Sequence, residues 1–447
     1  MCMDKQHLKE QVETIRQAFG YINRFKNETF VIKIESSLLT SPFFPLLIKD
    51  IAILHDMGIR IVLVPGAKTR IDEVLAAYNM HSRTINNIRI SPPEAIPFIK
   101  MAAFDVSNTV MTMLAANNTN AVIGNWVRAK SIGVLKGVDF KNSGAVERLQ
   151  TDIIRNVLEE GLVPIFPNIG WNAKGKPYNL SSNELAYTIS SELKAAKLFF
   201  ITDFGGISAQ GLALPENVYV TSENYIAQLT IDEAKKLLAL NKHAPAGQAL
   251  ELVSLAHRAC AAGVQRVHVI DGRVEGMLLK EIFSNRGFGT MIYVNQFENI
   301  RPMQFADIPD VLRIMQPLIE KEILVARTAE QLEATLSDYC VYEVDGTVHG
   351  CGALHEYGNQ AEIAGIAVDT PYNNLGIGEK IVSYCKGKAI EKKLKQVFVL
   401  TTQSADWFLK LGFAETTFDN LPAERKLTYN KKRKSLILAQ KLLQTRK

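Results

Sequence analysis

No run of apolar residues in this 447-residue sequence approaches the length of a bilayer span, so a transmembrane helix is not expected. Cysteines are few and odd in number: Cys2, Cys260, Cys340, Cys351 and Cys385 are scattered, with no C-x-x-C pair. That pattern excludes a disulfide framework and fits a reducing, cytoplasmic compartment. The eight histidines have no metal-ligand spacing, so no metal site is expected. Charge is nearly balanced, 51 basic against 46 acidic side chains, and a net +5 is too mild to suggest a nucleic-acid partner. The first residues, MCMDKQHLKEQVETIRQ, have no apolar core of an export signal. The last absence is local. The apolar strand Phe30–Ile34 runs into ESSLLTSP and then a helical pattern from Leu46 to Leu54, yet this strand-to-helix turn has no glycine. Phosphate-binding turns of this build use glycines to bring backbone N–H groups close to the anion.

What is present is a large globular chain. With 47% apolar residues it can bury an extensive core, and its length argues for two or three domains. From about residue 30 to 290, apolar strands alternate with amphipathic helices: FVIKI, PLLIKDIAILHDMG, IRIVLVPG, TRIDEVLAAYN, then LVPIFPN, ELAYTISSELKAA, KLFFITDFGG, LVSLAHRACAAG and VQRVHVIDG. This order predicts right-handed βαβ units in a parallel sheet. The pattern breaks near Asn295–Asn299, and IRPMQFADIPDVLRIMQPLIEKE begins again, so the expected domains are residues 1–296 and 297–447.

The tail has the clearest chemical motif. In EIAGIAVDTPYNNLGIGEKIVSYCKGKAIEKK a strand enters a loop, Asn373 to Gly378, that opens a long helix. Glycines and a helix N-terminus together make a pyrophosphate cradle. With LTTQSADWFLKLGF following, the segment resembles the GNAT acetyltransferases, whose Q/R-x-x-G-x-G/A loop holds the diphosphate of acetyl-CoA; Asn373 stands at the first motif position. Taken with the front half, the whole chain resembles the bacterial N-acetylglutamate synthases, an amino-acid-kinase-like domain fused to a GNAT domain. The resemblance implies an α/β protein, with a parallel-sheet kinase-like sandwich followed by a mixed-sheet GNAT domain. It implies acetyl transfer from acetyl-CoA to L-glutamate as the first step of arginine biosynthesis, without a metal. Acetyl-CoA would be held by Ile366, Ala367 and Val368 and by the loop and helix residues Asn373, Leu375, Gly376, Gly378 and Glu379. Glu362 would be the general base, and a carboxylate entering an apolar strand is partly desolvated, which suits that role. Where many GNAT enzymes have an acidic Tyr this chain has Phe408, and Thr401 is the candidate to serve the thiolate. Arg327, Arg433 and Ser435 match the glutamate-binding pattern, Arg425 less closely; on a strand Arg433 and Ser435 would share a face.

The missing glycines fit this resemblance. Where the related kinases have Lys-x-Gly-Gly, this chain has Lys33-Ile34-Glu35-Ser36, then Pro65-Gly66-Ala67-Lys68 and Asn179-Leu180-Ser181-Ser182-Asn183-Glu184, so kinase chemistry is expected to be lost. The front domain then reads as an L-arginine sensor, with Tyr21, Lys197, Glu281, Gly287 and Gly289 at the matching positions and feedback on the tail. A homo-oligomer, a hexamer by resemblance, is also implied. Two other readings stand beside this one: an arginine-responsive regulatory protein whose tail binds CoA with little turnover, and a residual acetylglutamate-kinase-like phosphotransferase.

Overall fold

The structure, a computed structural model, describes residues 25–85, 87–216, 218, 220–221, 223–242, 244, 247–283, 288–294, 298–344, 347–369 and 376–442. The chain separates into two compact units, Met1–Asn295 and Gln296–Lys447.

Unit 1 is built on an eight-stranded sheet. Its elements, in chain order, are β1 (Thr29–Ile34), α1 (Phe44–Asp56), β2 (Arg60–Pro65), α2 (Lys68–Ala77), α3 (Ile96–Ala115), β3 (Ala121–Ile123), β4 (Val163–Ile165), α4 (Ser182–Leu193), β5 (Lys197–Thr202), β6 (Gln228–Thr230), α5 (Gln248–Ala261), β7 (Arg266–Asp271), α6 (Met277–Phe283) and β8 (Thr290–Tyr293). The strand order is β6-β8-β7-β5-β1-β2-β4-β3, parallel except where β8 runs against β7. The central strands are mostly apolar because helices cover both faces of the sheet, with Lys33, Lys197 and His268 as buried exceptions. Alternate residues go to opposite cores: Val31, Val62, Leu198 and Phe200 to one, Phe30, Ile61, Phe199 and Ile201 to the other. A second sheet of four short strands includes Ile169–Trp171 and Pro177–Asn179.

The register Ile34↔Pro65 brings the carboxyl ends of β1 and β2 level, so the turns that follow them touch. Gly66 is required there: a Cβ would lie 3.0 Å from the Ser36 nitrogen and 3.1 Å from the Ile34 carbonyl oxygen.

Unit 2 contains β9 (Glu298–Pro302), α7 (Ile308–Glu320), β10 (Tyr339–Val344), β11 (Thr347–Tyr357), β12 (Gln360–Val368), α8 (Ile377–Glu391), β13 (Gln396–Thr401), β14 (Ala414–Thr416) and β15 (Leu436–Lys441), with sheet order β9-β10-β11-β12-β13-β15-β14. The pair β12–β13 is parallel and its neighbours are antiparallel. No helix among the described residues is long and apolar enough to cross a membrane.

Candidate active site

The centre of unit 2 is a fork between two parallel strands. β12 pairs with β13 through Gln360, Ala361 and Glu362, opposite Gln396, Val397 and Phe398, and no further. Beyond that point Ile363–Val368 bonds to β11 on one side, while Val399–Thr401 bonds to β15. Two irregularities open the fork. Gly365 takes φ +60°, in the left-handed region that other L residues rarely adopt, and the β11–β12 register shifts between Cys351 and Ala353. Among the described residues no strand pairs with Ile366, Ala367 and Val368 on the side of β12 away from β11, an edge of the kind that accepts main-chain pairing with a substrate arm.

Glu362 stands where the fork opens. It is only 5% exposed. Arg425, on the short helix Ala423–Leu427, clamps it with Nε donating to Oε2 at 2.5 Å and Nη2 to Oε1 at 3.2 Å, and gives its Nη1 to Thr428 Oγ1 at 3.1 Å. Although burial opposes the charge on Arg425, the Glu362 carboxylate raises that guanidinium's pKa further. The nearby Tyr357 hydroxyl is also pushed upward, by burial and then by Glu362. The candidate base and one candidate substrate ligand are thus bound to each other. Three residues along β13, Thr401 ends the strand; its Oγ1 accepts the Ser404 N–H at 2.9 Å, leaving its own hydroxyl hydrogen to donate.

The other candidate substrate residues fall near this fork by two routes. Arg433 Nη2 donates to the carbonyls of Glu322 (2.8 Å) and Ile323 (3.0 Å), tying its turn to the segment that carries Arg327. Arg327 lies against the hydroxyl of Tyr339, which burial raises in pKa, and the Tyr339 ring packs 3.5 Å from where a Gly365 Cβ would be. Ser435 accepts the Tyr429 hydroxyl on its carbonyl at 3.0 Å. Arg433 and Ser435 do not share a strand face, as the sequence suggested. Lys431–Arg433 is a 3-10 turn, Lys434 is left-handed at φ +49°, and β15 starts only at Leu436.

At the cradle, Gly376 is left-handed (φ +69°) and caps α8 with open space around it. Glu379 is in the first turn of that helix. Gly378 packs closely: a Cβ would approach the Trp407 ring at 3.1 Å. Asn373 and Leu375 lie outside the described residues. Phe408 is buried between Trp407 and Phe413 and has no proton to give.

In unit 1 the candidate effector residues form a buried polar cluster. Glu281 accepts from His268 Nδ1 at 2.7 Å and from the Phe288 N–H at 2.8 Å. Burial works to raise Glu281's pKa, but these bonds and the Lys197 charge outweigh it and the net shift is downward. Burial pushes His268 down to about 4, so at neutral pH it is uncharged; its Nε2 is a buried acceptor without a partner among the described residues. Lys197 is fully buried, with its ammonium over the Phe25 and Phe30 rings at 4.6 and 5.7 Å. Gly289 is required because a Cβ would collide with the Val269 carbonyl oxygen at 2.1 Å. Tyr21 and Gly287 lie outside the described residues.

The glycine-free turn after β1 has a physical account. Glu35 accepts the Ser36 N–H at 3.2 Å and Gln248 Nε2 at 3.1 Å, and its carboxylate pairs with the buried Lys33 ammonium. Burial acts to raise its pKa, but Lys33 and these donors hold it below the usual range. The chain's own carboxylate thus takes the ammonium and turn N–H that suit a phosphate. Two residues escaped the sequence reading. Gly365 was signalled by a lone glycine inside an apolar strand; His268, in VQRVHVIDG, gave no signal beyond an isolated histidine.

A kinase-like parallel sheet whose glycine-free turn is occupied by the Glu35 carboxylate, followed in the chain by a forked sheet with a glycine-capped helix, defines a two-unit acetyltransferase. Residues 28–271 match the amino acid kinase family and residues 335–415 the acetyltransferase (GNAT) domain. The chain belongs to the amino-acid acetyltransferase family: it is 34% identical to an amino-acid acetyltransferase of Actinobacillus pleuropneumoniae, covering 96% of this chain and 98% of that one. A Vibrio vulnificus amino-acid acetyltransferase is 32% identical over the same shares. N-acetylglutamate synthase from Neisseria gonorrhoeae, complexed with coenzyme A and L-arginine, is 30% identical with TM-score 0.78, covering 96% of this chain and 99% of that one. The same synthase with coenzyme A and N-acetyl-glutamate gives TM-score 0.59 over 97% and 99%. The resemblance drawn from the sequence and the α/β fold class are both borne out, and the chain is an acetyltransferase enzyme that uses acetyl-CoA.

Proposed function

We propose that the chain transfers the acetyl group of acetyl-CoA to the α-amino nitrogen of L-glutamate, at the fork of residues 297–447, under control of L-arginine bound to residues 1–296. The observation that carries the reading is the opening of β12 from β13 at Glu362, beside a guanidinium. The pantetheine arm lies along Ile366–Val368 and the diphosphate at the α8 N-terminus, around Gly376, where helix N–H groups and the dipole favour anions. Arg327, Arg433 and Ser435 bind the amino acid, and guanidinium forks suit its two carboxylates.

Glu362 takes a proton from the substrate ammonium; the freed amine attacks the thioester carbonyl, the C–S bond breaks, and the departing thiolate takes a proton served by Thr401. Both Glu362 oxygens are held by Arg425. A substrate carboxylate competes for that guanidinium, so a dicarboxylic amino acid loosens the base as it binds. In unit 1, Glu281 and His268 Nε2 offer acceptors to a guanidinium. Unit 1 transfers no phosphate, because Glu35 fills the anion position. Assembly as a homo-oligomer, hexameric by resemblance, and a cytoplasmic setting complete the reading.

The test is product analysis: purified chain with carbon-labelled acetyl-CoA and each of several amino acids. Labelled N-acetylglutamate as the dominant product supports the reading; labelled product from neutral amino acids at equal rates refutes the substrate.

A further inference from the structure

An ammonium and a thioester yield an amide, a thiol and one surplus proton, which must reach water in every turnover. Glu362 is poorly placed to release it alone. Its side chain is 7% exposed, and both its oxygens face Arg425, which has no acceptor. The group beside it that can take a proton is His355. β11 and β12 run antiparallel with His355 directly opposite Glu362. Opposed residues of such a pair share a face of the sheet, with Cβ atoms about 4.5–5.5 Å apart. His355 Nδ1 donates to Asp338 Oδ2 at 2.7 Å, in the turn Leu336–Asp338 that leads into β10. With its hydrogen on Nδ1, the neutral ring presents Nε2 as an acceptor. The Tyr339 ring packs edge-on against the imidazole at 5.9 Å and limits its rotation. The His355 side chain is 19% exposed, so it stands between the buried carboxylate and solvent. Tyr357, two residues along β11, is on the same face. Burial, then the Glu362 and Asp338 carboxylates, raise its hydroxyl pKa, so it keeps its own proton and cannot take another.

We propose that His355, oriented by Asp338, relays this proton from Glu362 to solvent. The inference rests on the acetyl transfer proposed above and adds a residue to it. As a substrate carboxylate draws Arg425 away, Glu362 accepts the ammonium proton. That proton passes to His355 Nε2, directly or through one water, and the imidazolium, stabilised by Asp338, gives it to bulk solvent. One proton leaves the amine and one enters water, so Glu362 and His355 both return to their starting forms. His355 does not touch the reacting atoms and acts through Glu362. In a purely structural role, the bond to Asp338 would only hold the turn Leu336–Asp338 against β11.

Steady-state thiol release from acetyl-CoA and L-glutamate tests this in the full chain with His355→Gln and Asp338→Asn. Gln can still donate to Asp338 and Asn is isosteric with Asp, so both variants keep the turn in place, yet neither can relay. Gln is not a base, and Asn donates to Nδ1, which moves the ring hydrogen to Nε2. In each, kcat should fall by about 10²-fold, the low end for a proton-transfer group, with both KM values nearly unchanged. Added imidazole at fixed pH and ionic strength should restore much of the lost rate in His355→Gln and leave the native rate unchanged, because a small diffusing base replaces the relay. Turnover close to native in either variant, a loss that imidazole does not restore, or a parallel rise in both KM values overturns the relay. The two readings fail separately. If Glu362→Gln abolishes turnover and His355→Gln does not lower it, the base stands and the relay falls; a native chain that releases no thiol with glutamate overturns both.

Discussion

Replacing Arg425 with Met removes the sole charged partner that the described residues offer Glu362 and leaves a carboxylate that is 5% exposed without compensation. Breaking a buried ion pair from one side costs about 3–5 kcal/mol. Because the Arg425 side chain retains some access to water, at 18%, the low end applies, about 3 kcal/mol. At about 2–4 °C per kcal/mol, the melting point of unit 2 should fall by about 6–12 °C. The reverse substitution, Glu362→Met, should cost less, since the freed guanidinium is nearer to solvent than the carboxylate. The double variant replaces both charges by apolar groups of similar length and should recover most of the loss, for the pair's desolvation disappears with its attraction. Urea unfolding, followed by hydrogen exchange of the Val397–Val399 amides, measures all three. Additive losses, or equal costs from the two single substitutions, would refute an ion pair buried at the fork.

Arg433→Ala should raise the glutamate KM about ten- to a hundredfold through a lost charge-assisted bond, leaving the acetyl-CoA KM nearly unchanged in steady-state kinetics; an equal rise in both would point to distortion of the turn held on Glu322 and Ile323. Gly365→Ala forces a Cβ into φ +60° and to 3.2 Å from the Met315 methyl, so it should cost about 1–2 kcal/mol and raise the acetyl-CoA KM before the glutamate KM. Acid should weaken unit 1: His268 is held at about 4 against about 6.5 when unfolded, so the unfolded chain binds the extra proton. The stability from a neutral His268 is complete above pH 6.5 and is lost as pH falls toward 4, by about 2 kcal/mol at pH 5. Glu281, held low, is lost in the same direction, and denaturation of unit 1 at pH 7 and 5 should show a smaller difference in His268→Gln.

The strand and helix alternation of unit 1 was legible because its apolar runs are long and punctuated by glycine; the strand of EIAGIAVD was legible too, but the fork at Gly365 was not, because it depends on how that strand pairs with two others. What could not be read was any pairing across distance. Nothing in the local sequence joins Glu362 to Arg425, 63 positions apart, or Glu281 to His268. NKKRKSLIL reads as a strand by alternation, but a left-handed Lys434 ends the turn before the strand begins. Gly378 reads as a phosphate contact, and nothing in the sequence showed that the Trp407 ring also crowds that position, 3.1 Å from where a Cβ would be. Glu35 was visible as an anion in the wrong place; that it fills the place of the phosphate emerged only with Lys33 and Gln248 around it.

The most direct measurement is thiol release from acetyl-CoA in the presence of L-glutamate, comparing the native chain with Glu362→Gln. The substitution keeps shape and a hydrogen bond to Arg425 but removes the proton acceptor. Turnover should fall by roughly 10²–10⁴-fold, the usual contribution of a general base, while acetyl-CoA binding measured by calorimetry stays nearly unchanged. Turnover of Glu362→Gln close to that of the native chain at neutral pH would contradict the account and place the chemistry elsewhere.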